Sequence, residues 1–428
     1  MTQNPFTLMR QRSLRKTICL DTTASHLNLI FCLVQLINLF LHQYPTFLTN
    51  FFQFAWVLKT IDSSQQMISL CGMVVKQQET SMNMASVQKQ GSPKTKEFDV
   101  TTKETPYTKV DSPNDLKRIC LVGQGAYGKV YQVQNKTDHK IYALKVITKK
   151  AIKKHHLADE TFILETVKSP FICKMFQSFD TLEKLYFVLE FIPGGDFFSL
   201  IEKIEVMSEG YVTFYLAEIV VALEHLHNHH IIYRDLKPDN IMLDRKGHVK
   251  LTDFGMCKLN MYEGAKTTTF CGTLEYMSPE MVKREPYDKS VDLWALGVLM
   301  YLLIHGEEPF YGKTKPVLKE QIVSAPIPIP ENLSQDGRVL LKRLLTRNPE
   351  KRITIPEIKS LDFFFGLDWQ KLMMQEYEPP LKPSILNERD VSNFSKEFTS
   401  QKVNNSPIKC SPLETMNNYF ENFDTQLL

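Results

Sequence analysis

The sequence predicts an α+β fold, and two patterns in the chain support that fold class. From Leu116 onward, short segments alternate apolar and polar residues, which is typical of half-buried β-strands. Later in the chain, residues 209–227 place apolar side chains at helical spacing, which indicates a long amphipathic helix. We therefore expect a small sheet early in the chain and a helical part that follows it.

The composition of the 428-residue chain is that of a globular protein, with 43% hydrophobic and 23% charged residues. Lys and Arg number 51 against 48 Asp and Glu, so the net charge of +3 gives no electrostatic reason to expect a nucleic-acid partner. The eight cysteines are scattered without a CxxC pair, which indicates neither a zinc site nor a disulfide framework. Reduced thiols of this kind favour a cytoplasmic protein.

The amino-terminal segment, residues 1–59, differs from the rest of the chain. Residues 22–58 contain no Asp, Glu, Lys or Arg and follow a basic stretch, a pattern similar to a signal anchor. The first apolar run, residues 27–41, is shorter than the ~20 residues that span a bilayer core, and Pro45 separates it from a second run. Three alternatives stay open: peripheral contact with a membrane, a partner-docking or buried segment, and a start site that is not the native one.

Composition divides the remainder of the chain into three parts. Residues 60–115 are rich in Gln, Ser, Thr and Lys, which predicts a flexible linker. Residues 116–365 carry the globular pattern, and residues 366–428 return to irregular sequence rich in Ser and Asn.

The first chemical motif is the glycine-rich sequence GQGAYG at residues 123–128. A dinucleotide-binding loop with the same glycine spacing would open a helix. Here strand-like residues 130–134 follow, the chain turns, and residues 141–147 return, so the glycines cap a β-hairpin. Backbone N–H groups of such a loop can approach the phosphates of a nucleotide, and Lys145 is placed to reach them; the alternative is a plain hairpin with a surface lysine.

Four further motifs follow in order: YRDLKPDN at residues 233–240, DFG at residues 253–255, SPE at residues 278–280, and Asp292 within SVDLW. Together with the hairpin, this ordered set resembles the eukaryotic protein kinases over residues 116–365. The resemblance implies a bilobal α+β fold, in which a small antiparallel sheet with one helix, αC, faces a larger helical lobe across the nucleotide cleft.

The resemblance also implies catalytic roles, with ATP and Mg²⁺ as cofactors. Asp235 matches the carboxylate that orients the substrate hydroxyl and accepts its proton, and Lys237 matches the cation that steadies the transferring phosphoryl group. Asn240 and Asp253 match the two Mg²⁺ ligands.

In the same way, Glu160 matches the αC glutamate that holds Lys145 on the phosphates. Fewer residues separate the two than in the nearest relatives, so we expect a short helix before αC to be trimmed and the position of αC to be less determined. The residues implied to bind ATP are Val122, Gly123, Gln124, Gly125, Ala126, Tyr127, Gly128, Lys129, Val130, Lys145, Glu190 and Ile192 in the hinge after Leu189, and Phe394.

Several motifs are similar to those of the AGC group of serine/threonine kinases. Tyr233 stands where histidine is commoner, and the sequences GGDFF at residues 194–198 and TFCGTLEY at residues 269–276 follow the AGC pattern. Lys237, with Thr273 in reach of it and of Asp235, is the serine/threonine pattern. Within the group, the chain most resembles the ribosomal-protein kinase branch, with protein kinase C second.

Residues 366–428 resemble the AGC carboxy-terminal tail. Phe394 matches an aromatic residue that folds over the nucleotide, although Ser395 replaces the usual acid. Ser406, an expected phosphosite, lies eighteen residues before Asp424, which is the spacing of regulatory positions in this group. Near its end the tail carries an FxxF docking motif, Phe420 and Phe423, followed by Asp424. The two rings are expected to enter a pocket of the small lobe.

Regulation and specificity follow from the same resemblance. Thr269 is an expected activation phosphosite for an upstream kinase, and its phosphate would meet Arg234, Lys258 and His156. Asp196, Asp239 and Thr273 are the expected specificity residues, and the two carboxylates favour an Arg-x-x-Ser/Thr substrate sequence. Leu302 replaces a further acid of the relatives.

The sequence therefore predicts a kinase of protein serine and threonine residues that acts as a monomer. Two alternatives stay open. One is a pseudokinase scaffold, which the presence of Lys145, Asp235, Asn240 and Asp253 disfavours. The other is a membrane-docked adaptor that acts through the amino-terminal segment.

Overall fold

The computed structural model of the protein describes residues 107–125, 128–151, 154–204 and 206–403. The expectations for the apolar amino-terminal segment and for most of the linker lie outside these residues. Within the described ranges, no helix is both long enough and apolar enough to cross a membrane.

The small lobe is built on a five-stranded antiparallel sheet with strand order β1-β2-β3-β5-β4. The predicted hairpin is confirmed, because β2 and β3 pair with Val130 opposite Lys145. One helix accompanies the sheet. These elements are β1 (Leu116–Gln124), β2 (Gly128–Asn135), β3 (Ile141–Thr148), α1 (Lys154–Thr166), β4 (Met175–Asp180) and β5 (Lys184–Glu190).

Both faces of the sheet are covered, which explains its apolar strands. Along β5, Phe187 joins the main hydrophobic core together with Ile163 of α1. The next residue, Val188, points to the opposite face and packs with Leu144 in a smaller cluster that also contains Tyr107 from the chain before β1. Because side chains alternate along the strand, the sheet face that carries Phe187 packs toward α1 and the other face packs on the smaller cluster.

The large lobe is mainly helical, and the predicted helix over residues 209–227 is confirmed as α3. At its centre lies α5, which is apolar on all sides and buries Trp294 completely, as expected for a helix surrounded by protein. Its elements are α2 (Phe197–Ile204), α3 (Glu209–Asn228), β6 (Ile241–Leu243), β7 (Val249–Leu251), α4 (Pro279–Lys283), α5 (Ser290–His305), α6 (Lys315–Ser324), α7 (Gln335–Leu344), α8 (Ile355–Lys359) and α9 (Trp369–Met373).

The described part of the tail after α9 is irregular, as predicted, except for one short helix, α10 (Lys396–Thr399). The tail first lies against the large lobe, where the Leu381 carbonyl abuts Gly247. It then passes the hinge, where the Asn393 amide donates to the Pro193 carbonyl at 3.1 Å. At the end of α10, the thiol of Cys120 on β1 lies 3.5 Å from the Thr399 carbonyl. The tail thus runs from the large lobe back to the small lobe.

Candidate active site

Lys145 on β3 connects three elements of the cleft. Its Nζ donates to Glu160 Oε1 on α1 at 2.6 Å and to Asp253 Oδ1 after β7 at 2.8 Å. Burial by itself lowers the pKa of Lys145, but the carboxylates of Asp253 and Glu160 outweigh it and raise the pKa above the ordinary lysine value. The same Lys145 charge lowers the pKa of Asp253, so both groups stay ionised near neutral pH.

The connection before α1 is short, but it does not prevent the Lys145–Glu160 pair. A single 3₁₀ turn, Lys149–Ala151, stands where the sequence predicts a trimmed helix. Glu160 is only 2% exposed, so α1 is held with its carboxylate in the cleft. The short connection therefore still allows α1 to take the position in which Glu160 pairs with Lys145.

Asp235 lies at the centre of a hydrogen-bond network in the loop between α3 and β6. Its Oδ1 accepts from the Thr273 hydroxyl at 3.1 Å, and its Oδ2 accepts from the Asn240 amide at 2.8 Å. The Lys237 ammonium lies 3.3 Å from the same Oδ2 and donates to Thr273 Oγ1 at 2.9 Å. The two predicted bonds of Thr273 are thus present, and the carboxylate is fixed in orientation on both sides.

The oxygens left at Asn240 and Asp253 suit a hard cation. The Asn240 amide nitrogen is occupied by Asp235, which leaves its amide oxygen for another partner. Asp253 has a left-handed backbone, with φ of 54°, and its side chain is 53% exposed. No cluster of three or more His, Cys, Asp and Glu occurs among the described residues. Mg²⁺ is commonly held by one or two protein carboxylates together with phosphate oxygens and water, so these two residues suffice as protein ligands.

The glycine-rich loop leaves open space above the cleft. A Cβ added at Gly125 would meet no atom within 4 Å, and one at Gly123 would only touch Val130 at 4.0 Å. The described fold therefore does not itself require glycine at these two positions, whereas a ligand that approaches the backbone closely would. Ala126 and Tyr127 at the tip lie outside the described residues.

The hinge residue Glu190 carries contacts that the sequence analysis missed. Its Oε1 accepts from the Lys250 ammonium at 3.0 Å and from the Lys174 backbone N–H at 2.7 Å. Lys250 belongs to β7, so this ion pair joins the hinge to the strand that leads to Asp253. Next to it, the ring of Phe191 stacks on Phe394 of the tail at 5.6 Å between centroids, which brings the predicted tail aromatic to the hinge.

Two buried anchors were not given a role in the sequence analysis, and the first holds the loop that carries Asp235, here called the catalytic loop. Asp292 Oδ1 accepts from the Arg234 N–H at 2.8 Å, while its Oδ2 accepts from the Tyr233 N–H at 3.0 Å and lies 2.8 Å from His227 Nε2. The available signal was an acid inside the apolar run that forms α5. A second pair, Arg352 with Glu280, is bidentate and almost fully buried.

The activation segment, residues 253–280, exposes the Thr269 side chain. Arg234 makes no hydrogen bond with that side chain, but it is linked to Thr269 through Tyr287, whose hydroxyl donates to the Thr269 carbonyl at 2.6 Å. The Lys258 ammonium forms no ion pair with any described carboxylate. His156 belongs to α1, but its side chain is not among those the structure describes. Of the two predicted cations whose side chains the structure describes, Arg234 is linked to Thr269 and Lys258 is not.

The two specificity carboxylates differ in their surroundings. Asp196 caps α2, because its Oδ1 accepts from the Ser199 N–H at 2.7 Å, which is a structural role that the sequence analysis missed. Asp239 is exposed and has no hydrogen bond or ion pair within the described part of the chain. Leu302 is buried inside α5 and offers no polar group to a substrate. Ser406, Phe420, Phe423 and Asp424 lie outside the described residues.

Two family models match the chain. The model described as protein kinase domain matches residues 116–364, and the model described as protein kinase C terminal domain matches residues 385–424. The first covers more than half of the 428 residues.

Curated relatives are similar to more than two thirds of the chain. The chain is 40% identical over 309 residues to the serine/threonine-protein kinase Sgk1 of Danio rerio, covering 70% of this chain and 71% of the relative. It is 39% identical to the serine/threonine-protein kinase sgk-1 of Caenorhabditis elegans, covering 74% and 70%. It is 43% identical to the serine/threonine-protein kinase YPK1 of Saccharomyces cerevisiae, covering 69% and 45%. These names do not decide the predicted order of the ribosomal-protein kinase and protein kinase C branches, which stays a prediction.

Proposed function

The chain belongs to the AGC group of serine/threonine protein kinases, and we propose that its cleft transfers the γ-phosphate of ATP to Ser and Thr hydroxyls in basic sequence contexts. The observation that carries this proposal is the fixed orientation of Asp235, whose two oxygens are held by Thr273 and Asn240. A positioned carboxylate of this kind can orient an incoming hydroxyl and take its proton.

At the phosphate end of the cleft, Lys145 supplies a positive charge that Glu160 and Asp253 hold in place. The open space at Gly125 suits phosphates cradled by backbone N–H groups. Lys237, bonded to Thr273, would steady the phosphoryl group as it moves toward the acceptor hydroxyl. These groups align the reactants and neutralise charge, which is the main contribution of a protein to phosphoryl transfer.

Mg²⁺ fits the oxygens left at Asn240 and Asp253 and, when bound, would neutralise charge on the phosphates. The chain itself keeps these ligands ready in two ways. Asn240 is oriented by its bonds to Asp235, and Asp253 is kept ionised by Lys145.

At the other end, the backbone of Glu190 and Ile192 would contact the adenine edge. Ile192 is only 4% exposed, so the surrounding protein holds this part of the hinge in a fixed position. Stacking of Phe394 on Phe191 supports a tail contribution to the same site.

The basic substrate preference is assigned to Asp196 and Asp239. Asp239 is exposed and unpaired in the described part of the chain, so it is free to meet an arginine of the substrate. Asp196 uses one oxygen to cap α2 and keeps the other for a substrate. We extend the proposal to activation by an upstream kinase at Thr269, to a cytoplasmic location, and to a monomeric enzyme.

The test is phosphorylation of a degenerate Ser/Thr peptide library by the full chain, prepared with Thr269 phosphorylated. We expect phosphorylated peptides enriched in arginine three residues before the acceptor. The matched control is Asp336→Asn, an exposed change in the first turn of α7, which should leave the rate unchanged. Absence of transfer would refute the proposed activity, and selection of acidic or proline-flanked sites would refute the proposed substrate class.

A further inference from the structure

Tyr287, in the segment between α4 and α5, contacts the activation segment through backbone and side chain. Its N–H donates to the Thr267 carbonyl, and its carbonyl accepts from the Thr267 N–H, both at 2.9 Å. Its hydroxyl donates to the Thr269 carbonyl at 2.6 Å. Because the bonded atom of Thr269 belongs to the backbone, this contact does not require any modification of the threonine side chain.

The same hydroxyl accepts a hydrogen bond from Arg234 Nη1 at 3.1 Å. Arg234 also donates from Nε to the Met256 carbonyl at 2.6 Å and from Nη2 to the Cys257 carbonyl at 2.9 Å. Both of these carbonyls lie near the start of the activation segment. One guanidinium therefore holds the start of the segment directly and its later part through Tyr287.

The Tyr287–Arg234 contact is held in place by its surroundings. Tyr287 is 2% exposed, and burial raises the pKa of its hydroxyl to about 12, so the group stays protonated and can both donate and accept. Arg234 has a left-handed backbone, with φ of 66°, which its N–H bond to Asp292 helps to maintain. Neither side chain can shift without breaking several of these bonds.

We propose that the Tyr287 hydroxyl is a positioning group that keeps the activation segment on the catalytic loop without a phosphate on Thr269. This inference rests on the proposed function, since it concerns how that site is assembled. Thr273 lies four residues after Thr269 and bonds both Asp235 and Lys237, so displacement of the segment would misplace the Thr273 hydroxyl. A phosphate on Thr269 would give Arg234 a second link to the segment, so Tyr287 matters most before phosphorylation.

The experiment compares Tyr287→Phe in two backgrounds of the full chain, the Thr269→Ala variant and the protein phosphorylated at Thr269. We expect kcat for a peptide to fall about tenfold in the Thr269→Ala background, because a hydrogen bond to a charged group is lost, and less than about threefold in the phosphorylated protein. The KM for ATP should stay unchanged in both. The matched control is Tyr301→Phe, which removes the hydroxyl of another buried tyrosine, on α5, and should change neither kcat nor its dependence on phosphorylation.

Folding is controlled within the same design, since Tyr287→Phe keeps the ring that packs with Met261, Met277 and Val291. Hydrogen–deuterium exchange over residues 266–273 should rise in Tyr287→Phe and stay unchanged in Tyr301→Phe. An equal loss of kcat in the two backgrounds, or no loss in the Thr269→Ala background, would overturn the inference. If no variant phosphorylates any peptide, the proposed function fails, and the exchange measurement alone decides the role of Tyr287.

Discussion

The ammonium group of Lys250 lies 3.0 Å from a carboxylate oxygen of Glu190, where β7 of the large lobe meets the hinge. The two side chains are 13% and 24% exposed, so water screens this ion pair less than it would screen one on the surface. The contact fixes the hinge relative to the strand that leads to Asp253. The ion pair therefore connects the hinge residue proposed to contact adenine with the strand that precedes the proposed metal ligand Asp253.

We expect Lys250→Met to raise the KM for ATP about fivefold while kcat changes less than twofold, because the pair positions the hinge and does not touch the reacting atoms. Glu190→Gln should have a similar effect, and the double variant should be no worse than either single one. Lys250→Arg should restore most of the affinity. Additive losses in the double variant would show that the two side chains act independently. Steady-state kinetics at varied ATP concentration makes the comparison.

Asp235→Asn and Asp253→Asn should each lower kcat by at least ~10², because charge stabilisation and positioning carry this reaction. The fold should persist, since Asn can make hydrogen bonds at both positions, and thermal unfolding checks that point. The isosteric change Asp336→Asn serves as the control. Near-normal turnover of Asp253→Asn would remove the assignment of this residue as a metal ligand.

The arginine preference should depend on two carboxylates that can be separated by conservative changes. Asp239→Asn removes an exposed charge, and Asp196→Asn removes a charge while keeping an oxygen that can still cap α2. Each change should reduce the preference for arginine over alanine three residues before the acceptor by about tenfold, as expected for a charged hydrogen bond. Glu202→Gln, on the exposed side of α2, is the matched control. A preference unchanged in both variants would assign arginine recognition elsewhere.

The FxxF motif should dock mainly through its rings. The protein kinase C terminal domain match extends to Asp424, and Phe162 on α1 is 47% exposed, so α1 offers apolar surface for an aromatic ring. Burial of Phe420 or Phe423 is worth at most about 3 kcal/mol each, whereas the Asp424 carboxylate supplies one charge where a phosphate carries up to about two. Phe423→Ala should therefore lower activity or melting temperature much more than Asp424→Ala.

A shortened chain that ends at Met416 lacks the whole FxxF motif, so its activity can be compared directly with that of the full chain. With Thr269 phosphorylated in both proteins, we expect the shortened chain to be less active than the full chain. Equal activity would mean that the FxxF motif is not a docking element in this protein, and the regulatory part of the AGC resemblance would fail here.

The sequence was most informative where residues close in the chain act together. The hairpin that pairs Val130 with Lys145 and the loop that carries Asp235 and Asn240 follow from local motifs. Distant partners were predicted where family motifs name both residues, as for Thr273 with Asp235. Distant pairs outside such a match were not predicted, because spacing along the chain does not show which helices and strands face each other. Lys250 with Glu190 and Arg352 with Glu280 are of this kind, separated by 60 and 72 residues.

A similar limit applies to residues with two roles. Asp196 was predicted as a specificity residue from its motif, but the cap it forms on α2 depends on where that helix begins. A phosphate on Thr269 was predicted to meet three cations, which stays a prediction, but the contact of the Thr269 backbone carbonyl with Tyr287 was not predicted. A motif identifies the side chain and gives no information on the backbone atoms beside it.

The return of the tail to the small lobe means that the two lobes are tethered twice, once by the hinge and once by residues 381–399. Two glycines with positive φ lie directly under the second tether. A Cβ at Gly247 would come within 1.9 Å of the Leu381 carbonyl oxygen, and one at Gly195 within 2.5 Å of the Asn393 carbonyl oxygen. Opening of the cleft must therefore break contacts of the tail with one of the two lobes. A side chain at Gly195 or Gly247 would push the tail away from the large lobe, so the absence of a Cβ at these two positions is what lets the second connection form.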